Sequence, residues 1–365
     1  MSEKHKKNPL QTFLDTERLK YYQKACIMAV SQGHHHQIFI SGEATQDLRY
    51  RIGGQSITIM TTVVLILEHL GKLKLDEPIH QYLPRVPNSQ KITLRQLCNE
   101  TAGLPDYVDD PKFVDAINQN EFRTWSIEEL LEIIYKLKPL YEPGTQWNFG
   151  HLTNTVIIGR ILEIVTEKPF AKVIEKYFIK PLKLKNTAVE PTQIIQGPVL
   201  RSFSDERLKP QQYEESTNWD PTWGGYATGT TSNPSDMIII SRALGTGSLL
   251  THHDFKQLVA PTTVGLPPNT PQRYYALGLV VGGFGLDSLR SRKYPYTILW
   301  SDALFNGNSG VYSYIPSHDL VVHIQTNTIT QLSPGTTATK ILEDLFNTFT
   351  VEQIVTFLKK NCVKE

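Results

Sequence analysis

The stretch Tyr50-Arg51-Ile52-Gly53-Gly54-Gln55-Ser56-Ile57-Thr58 passes from a pair of glycines straight into an apolar run. From Ser56 to Leu70, Ile57, Ile59, Met60, Val63, Val64, Leu65, Ile66, Leu67 and Leu70 cover nearly every side of a helix. A helix that is apolar all round belongs in a core. Gly71 is a natural stop. Ser56 stands where a side-chain oxygen caps a first turn. One long buried helix, entered through two glycines, is the element around which the rest must pack.

Outward from it, residues 20–32 place Tyr21, Tyr22, Ala25, Met28 and Ala29 at helical spacing and read as a helix. Gln37 to Gly42 reads as a short strand ending in a turn. Ser126 to Leu137 reads as a helix opened by a capping box, Ser126 with Glu129. Leu152 to Thr166 reads as another. Proline and glycine break residues 190–235 into loops and short elements. Strands return at Tyr275–Val281, Thr297–Trp300, Val311–Ile315 and Leu320–Thr326, followed by helices at Thr337–Asn347 and Val351–Lys360.

Strands at both ends with helices between them imply an α+β fold: an antiparallel sheet built from the N- and C-terminal segments, with flanking helices and an inserted helical lobe. The expected division is an extension over 1–19, one domain over 20–350, and a C-terminal helix and tail over 351–365. Within the domain, the sheet lobe takes about 20–52 and 272–350, and the helical lobe about 53–271.

The 365 residues are 40% hydrophobic and 20% charged, values of an ordinary globular protein with a sizeable core. A net charge of +1 gives no electrostatic footprint for nucleic acid or an anionic membrane. Cys26, Cys98 and Cys362 are odd in number and far apart, so they suggest neither a disulfide framework nor a zinc site. His34-His35-His36 reads as a solvated turn and His252-His253-Asp254 as a helix start, and no metal or cofactor is implied. There is no apolar run of 18 residues, and Met1 to Pro9 is polar with no apolar segment behind it. The expectation is a cytoplasmic protein without membrane insertion, with signal-independent export left open. The oligomeric state is not legible.

Several short phrases follow one another after the long helix. They are Gly71-Lys72-Leu73-Lys74-Leu75-Asp76, Tyr82-Leu83-Pro84, Ile92-Thr93-Leu94-Arg95-Gln96-Leu97, Thr101-Ala102-Gly103-Leu104-Pro105 and Pro143-Gly144-Thr145. Pro181-Leu182, Tyr275-Ala276-Leu277-Gly278-Leu279 and Gly310-Val311-Tyr312-Ser313 continue the series. Over about residues 20 to 350 the chain resembles the class C serine β-lactamases and DD-peptidases, the penicillin-binding-protein-like superfamily. The resemblance implies three motifs. A serine at a helix N-terminus attacks a carbonyl, and a lysine one turn later on the same face helps take its proton. A Tyr-x-Asn shares the proton transfer, and a Lys or His followed by Thr-Gly completes the pocket.

This sequence departs from all three. Gly54 stands at the serine position and Ile57 at the lysine position. The second motif reads Phe149-Gly150-His151 and the third Phe305-Asn306-Gly307, with Phe305 at the basic position. Moving the register to Ser56 puts Ile59 at the lysine position. No Ser-x-x-Lys occurs anywhere in the chain, and Gly54-Gln55-Ser56-Ile57-Thr58 does not satisfy Gly-x-Ser-x-Gly. The loss therefore does not depend on the register chosen.

The replacements share a direction, since Ile57, Phe149 and Phe305 are all apolar. The candidate cleft residues are Gly54, Ile57, Phe149, His151, Phe305 and Asn306, with Ser56 as a minor candidate nucleophile. Such a cleft either keeps space as an apolar pocket for a ligand or closes into core. Three functions compete. The first is a pseudoenzyme with a degenerate site, binding a small apolar or peptide-like ligand or a protein partner. The second is an enzyme of rewired, non-acyl chemistry, of cyclase or lyase type, using His151 as acid or base. The third is a serine hydrolase or esterase read in the wrong register. Trp219, Trp223 and Trp300 read as packing residues.

Overall fold

The first strand of the chain lies beside the last long one. The computed structural model describes residues 8–148, 151–283, 297–334 and 336–361, without the side chain of His151. Seven strands make the main sheet: Ala25–Gln32 (β1), His35–Gly42 (β2), Arg273–Tyr275 (β3), Val280–Gly282 (β4), Leu299–Phe305 (β5), Asn308–Ile315 (β6) and Leu320–Thr326 (β7). Their order is β2-β1-β7-β6-β5-β4-β3, with every pairing antiparallel. The fold is α+β, a large antiparallel sheet with flanking helices.

Among the helices are Pro9–Lys20 (α1), Ser56–His69 (α2), Ile127–Ile134 (α3), His151–Thr166 (α4), Pro234–Thr246 (α5), Thr337–Thr348 (α6) and Val351–Asn361 (α7). Side chains alternate between the two faces of a strand. Cys26, Met28 and Val30 of β1 pack with Leu10 and Leu14 of α1, Ile341 and Leu345 of α6, and Ile354 and Leu358 of α7. Ala25 and Ile27 belong to the other cluster, with Ile59, Met60, Val63 and Val64 of α2 and Val156 of α4. Among the described residues no helix is long and apolar enough to cross a membrane.

Residues 20–32 are not a helix. Ala25–Gln32 is a strand, and the helix lies earlier, over Pro9–Lys20. Asn8 caps that helix by accepting from the N–H groups of Leu10 and Gln11, ahead of a proline in the first turn. The misreading has a physical cause. Both faces of β1 are covered, so Ala25 to Ser31 are all buried and no alternation marks the strand. Residues 9–19, part of the stretch read as an extension, pack onto the sheet through Leu10, Phe13 and Leu14. Tyr275–Val281, read as one strand, is broken. Gly278, at φ +77°, turns the chain between β3 and β4. A Cβ there would lie 2.9 Å from the Thr61 hydroxyl of α2. The capping box at Ser126 is present, with the Ser126 side chain accepting from the Glu129 N–H and Glu129 reaching back.

A buried pair beside β7 makes stability depend on pH. The Tyr50 hydroxyl lies 2.8 Å from His323 Nε2, and both residues are fully enclosed. Burial holds the His323 imidazole neutral, with its pKa pushed down to about 3. Between pH 6.5 and 3 the unfolded chain therefore takes up a proton that the folded chain refuses. The full contribution is present above pH 6.5 and is lost as pH falls, at about 1.4 kcal/mol per pH unit. Urea denaturation from pH 7.5 to 4.5 should show a shallower decline for His323→Phe than for wild type. Parallel curves would remove His323 from the account.

Candidate functional site

The entry to α2 is built from a tight turn over Gly53–Gln55, with Gly53 at φ +51°. That turn presses against β5. A Cβ placed on Gly53 would lie 3.0 Å from Ala303 Cβ, and one on Gly54 would lie 3.3 Å from the Asp302 carbonyl oxygen. The same point on Gly54 is 3.9 Å from Ile57 Cδ1. Gly54 and Ile57 thus stand one turn apart on the side of the helix that faces the strand. Three hydroxyl contacts hold α2 there. Thr58 Oγ1 donates to the Gly278 carbonyl (2.5 Å), Thr61 Oγ1 donates to the Leu277 carbonyl (2.8 Å), and the Tyr312 hydroxyl donates to Thr58 Oγ1 (2.7 Å).

Beside this junction is a cavity of about 320 Å³. Gly54, Ile57 and Leu152 form one wall, β5 from Ser301 to Phe305 another, and Trp223, Thr228, Tyr275, Val280 and Thr336 the rest. A second cavity of about 500 Å³ adjoins it and shares Tyr275, Val280, Asp302 and Thr336. Trp147, Asn148, Pro268, Arg273, Trp300 and Thr339 line the remainder of that second space. No lysine, histidine or cysteine lies among the described residues of either wall.

The expected residues divide. Gly54, Ile57 and Phe305 come together on the cavity wall. Phe305 is buried and stacks on Trp223 at 5.1 Å with a 27° interplanar angle, so the tryptophan read as packing both packs and lines the space. Asn306 does not line it. It turns the β5–β6 hairpin at φ +42°, and its Nδ2 donates to the Trp219 carbonyl. Ser56 neither caps the helix nor reaches the cavity. It is buried, and its Oγ donates to the Ala227 carbonyl at 2.6 Å, which fixes the start of α2. Phe149 and the His151 side chain lie outside the described residues. Leu152, the second residue of α4, lines the first cavity, and Trp147 and Asn148 line the second.

Sequence reading missed the charged groups. Asp302 lies on β5, with Oδ2 accepting from the Thr339 hydroxyl of α6 at 2.7 Å. Arg273 lies on β3, and its guanidinium carbon is 5.8 Å from the centre of the Trp300 ring. Burial pulls the Arg273 pKa down from the ordinary arginine value, with the Asp302 charge opposing the shift. Burial also holds the Tyr275 hydroxyl well above its ordinary range, so it stays protonated at neutral pH. One signal was available in the sequence. Asp302 interrupts an otherwise largely apolar strand, and a charged residue there needs a partner or a function.

Comparison with known proteins follows the same outline. The family model described as Beta-lactamase matches residues 26–343. Penicillin-binding protein 4* of Bacillus subtilis is 25% identical over 267 residues, covering 66% of this chain and 56% of the relative. Protein flp of Staphylococcus aureus is 23% identical over 155 residues, covering 41% of this chain and 30% of the relative. The matched stretches therefore span between about a third and just over half of these curated relatives. Among solved structures, a D-stereospecific amidohydrolase from Streptomyces sp. superposes with a TM-score of 0.77 at 26% identity, covering 87% of this chain and 93% of that one. The D-amino acid amidase of Ochrobactrum anthropi SV3, complexed with D-phenylalanine, superposes with a TM-score of 0.76 at 17% identity, covering 96% and 98%. At that identity the likeness is one of fold.

Proposed function

The chain belongs to the beta-lactamase family, and on that premise we propose that it is a member without acyl-transfer chemistry, binding a small peptide-like ligand in the cleft beside Gly54. The observation that carries this reading is the pairing of Gly54 with Ile57 on the wall of an open cavity. Acyl transfer needs a nucleophilic atom and a base on one helical face. Here that face offers a hydrogen atom and a butyl group. The surrounding space is retained, and its size is that of a small-molecule pocket.

The wall and the neighbours support one ligand class. Tyr275, Trp223 and Phe305 offer aromatic surface, while Thr228, Ser301 and Thr336 offer a few polar groups. The structural neighbours include a D-stereospecific amidohydrolase and a D-amino acid amidase. An amide or short peptide of an aromatic D-amino acid is the matching probe. Calorimetric titration should show N-acetyl-D-phenylalaninamide binding and being recovered unchanged. Hydrolysis at an enzymatic rate by the pure protein would overturn the reading.

Thr336 gives a clean block. It is exposed, it lines both cavities, and its side chain makes no capping hydrogen bond to α6. Thr336→Trp should weaken the amide at least tenfold while leaving the melting temperature within about 2 °C, since exposed substitutions change stability little. Unchanged affinity would place the ligand elsewhere.

A further inference from the structure

We propose that a separate cavity, on the far side of the turn that carries Trp223, binds a small uncharged aromatic molecule with one hydrogen-bond donor, and that this occupant tightens binding in the cleft. The site stands independently of the reading of the cleft, and only the coupling rests on it.

The chain from Thr222 to Gly229 borders two spaces. Trp223 and Thr228 line the 320 Å³ cavity beside Gly54. Thr222, Gly225, Tyr226 and Gly229 line another cavity of about 340 Å³. Gly225 makes this alternation possible. Its φ of 58° and ψ of −131° are open to glycine and strained for other residues. A Cβ there would also lie 2.5 Å from Val156 Cγ2 of α4. The turn is pinned along its length. The Trp125 N–H donates to Thr222 Oγ1 (2.7 Å), the Tyr107 hydroxyl to the Trp223 carbonyl (2.7 Å), and Thr228 Oγ1 to the Pro221 carbonyl (2.6 Å).

The wall selects the occupant. Trp125, Phe170 and Tyr226 give it buried aromatic surface, and Pro169, Val189 and Pro191 add apolar surface. Its hydroxyls are engaged: Thr124 and Thr222 donate to Asp220, Ser126 to Glu129, and Tyr226 to Glu163. The remaining polar group is the Glu163 carboxylate of α4. Its Oε2 accepts from the Tyr226 hydroxyl (2.6 Å) and from Arg160 Nη1 (3.0 Å). Among the described residues, Oε1 accepts only from the Phe170 N–H, at 2.8 Å. A carboxylate oxygen has two lone pairs, so Oε1 can take one more donor. Arg160 already balances the charge, so the wall calls for no second cation, and it repels an anion. An apolar body with a single N–H or O–H is what remains. The volume is that of a small-molecule pocket. Both ligands bind the same arrangement of the Thr222–Ala227 turn, so each holds it in place for the other.

The probe is indole, titrated calorimetrically. It should bind wild type at one site, and at least fivefold more tightly than 1-benzothiophene, which has the same shape without the N–H. Ala171→Trp, which fills the cavity from its half-buried wall, should abolish indole binding. Pro191→Trp, at an exposed position on the same wall, serves as a second block if the first variant does not fold. Thr336→Trp, which closes the cleft, should leave indole affinity unchanged. Saturating indole should tighten N-acetyl-D-phenylalaninamide at least threefold in wild type and not in Ala171→Trp. Equal binding of indole and benzothiophene overturns the role of Glu163. Loss of indole in Thr336→Trp, with competition between the two ligands, would seat indole in the cleft and overturn the second site. Amide affinity that indole leaves unchanged overturns the coupling. If the amide does not bind at all, the cleft reading and the coupling fail together, and the indole titrations still decide the second site.

Discussion

Incubated with a fluorescent penicillin or a fluorophosphonate probe, the intact protein should carry no covalent label, and its mass should be unchanged. The expectation comes from single atoms. A penicillin is held as an ester of a serine oxygen, and at position 54 there is no side-chain atom to acylate. The nearest hydroxyl along the helix, Ser56, is buried and donates to the Ala227 carbonyl. Removing the nucleophile or its partner from such a unit lowers turnover on the order of a million-fold, about 8 kcal/mol of barrier. Oxyanion donors and positioning recover little of that. Gly54→Ser alone should not restore acylation. Its Cβ fits beside the Asp302 carbonyl with a shift of a few tenths of an ångström, but Ile57 would stand next to the new hydroxyl and cannot take its proton. Stoichiometric labelling of any serine in the wild-type protein would sink the pseudoenzyme reading.

Gly159→Ala should lower the melting temperature by roughly 4 °C, a cost of about 3 kcal/mol. Gly159 sits in α4 where Tyr226 crosses it. A Cβ there would lie 2.1 Å from Tyr226 Cδ2, well inside contact distance. The ring has little freedom to retreat. Its hydroxyl donates to Glu163 Oε2 at 2.6 Å, and the Phe170 ring packs beside it at 4.6 Å. Moving Tyr226 also moves the turn over Thr222–Ala227, which carries Trp223 against Phe305. The substitution should therefore weaken N-acetyl-D-phenylalaninamide as well as the fold. Gly54→Ala is the matched control, since its closest contact is 3.3 Å and it should cost far less. A melting temperature within 2 °C of wild type for Gly159→Ala would show that the ring relocates freely.

Much of the fold was legible because its signals are local. The unbroken apolar run from Ile57, the capping box of Ser126 with Glu129, and the glycine stop at Gly71 each act within a turn or two. β1 was lost because covering both its faces erases the alternation that identifies a strand. The break at Gly278 was lost because its cause, the close approach of Thr61, lies over 200 residues away in sequence. The cleft shows the same divide. Gly54 and Ile57 are one turn apart, so their proximity follows from helix geometry alone. Arg273 and Asp302 share a cavity only because β3, β4 and β5 pair in that order, and nothing in the residues around either one announces it. Asn306 was placed by motif position, but its positive φ commits it to the hairpin turn.

The adjacency of β1 and β7 bears on how the chain is made. Cys26 pairs with Thr326, so one edge of the N-terminal hairpin has no partner until 300 further residues have been added. At ribosomal speeds of about 5–20 residues per second that is roughly 15–60 s. Throughout that time β1 presents Met28 and Val30 on one side and Ala25 and Ile27 on the other, with an open row of backbone donors and acceptors. Such an edge invites pairing with another nascent chain. Closing a loop of that span is also slow relative to local contacts. The protein should therefore depend on chaperone protection during synthesis, and fragments that stop short of β7 should aggregate rather than fold.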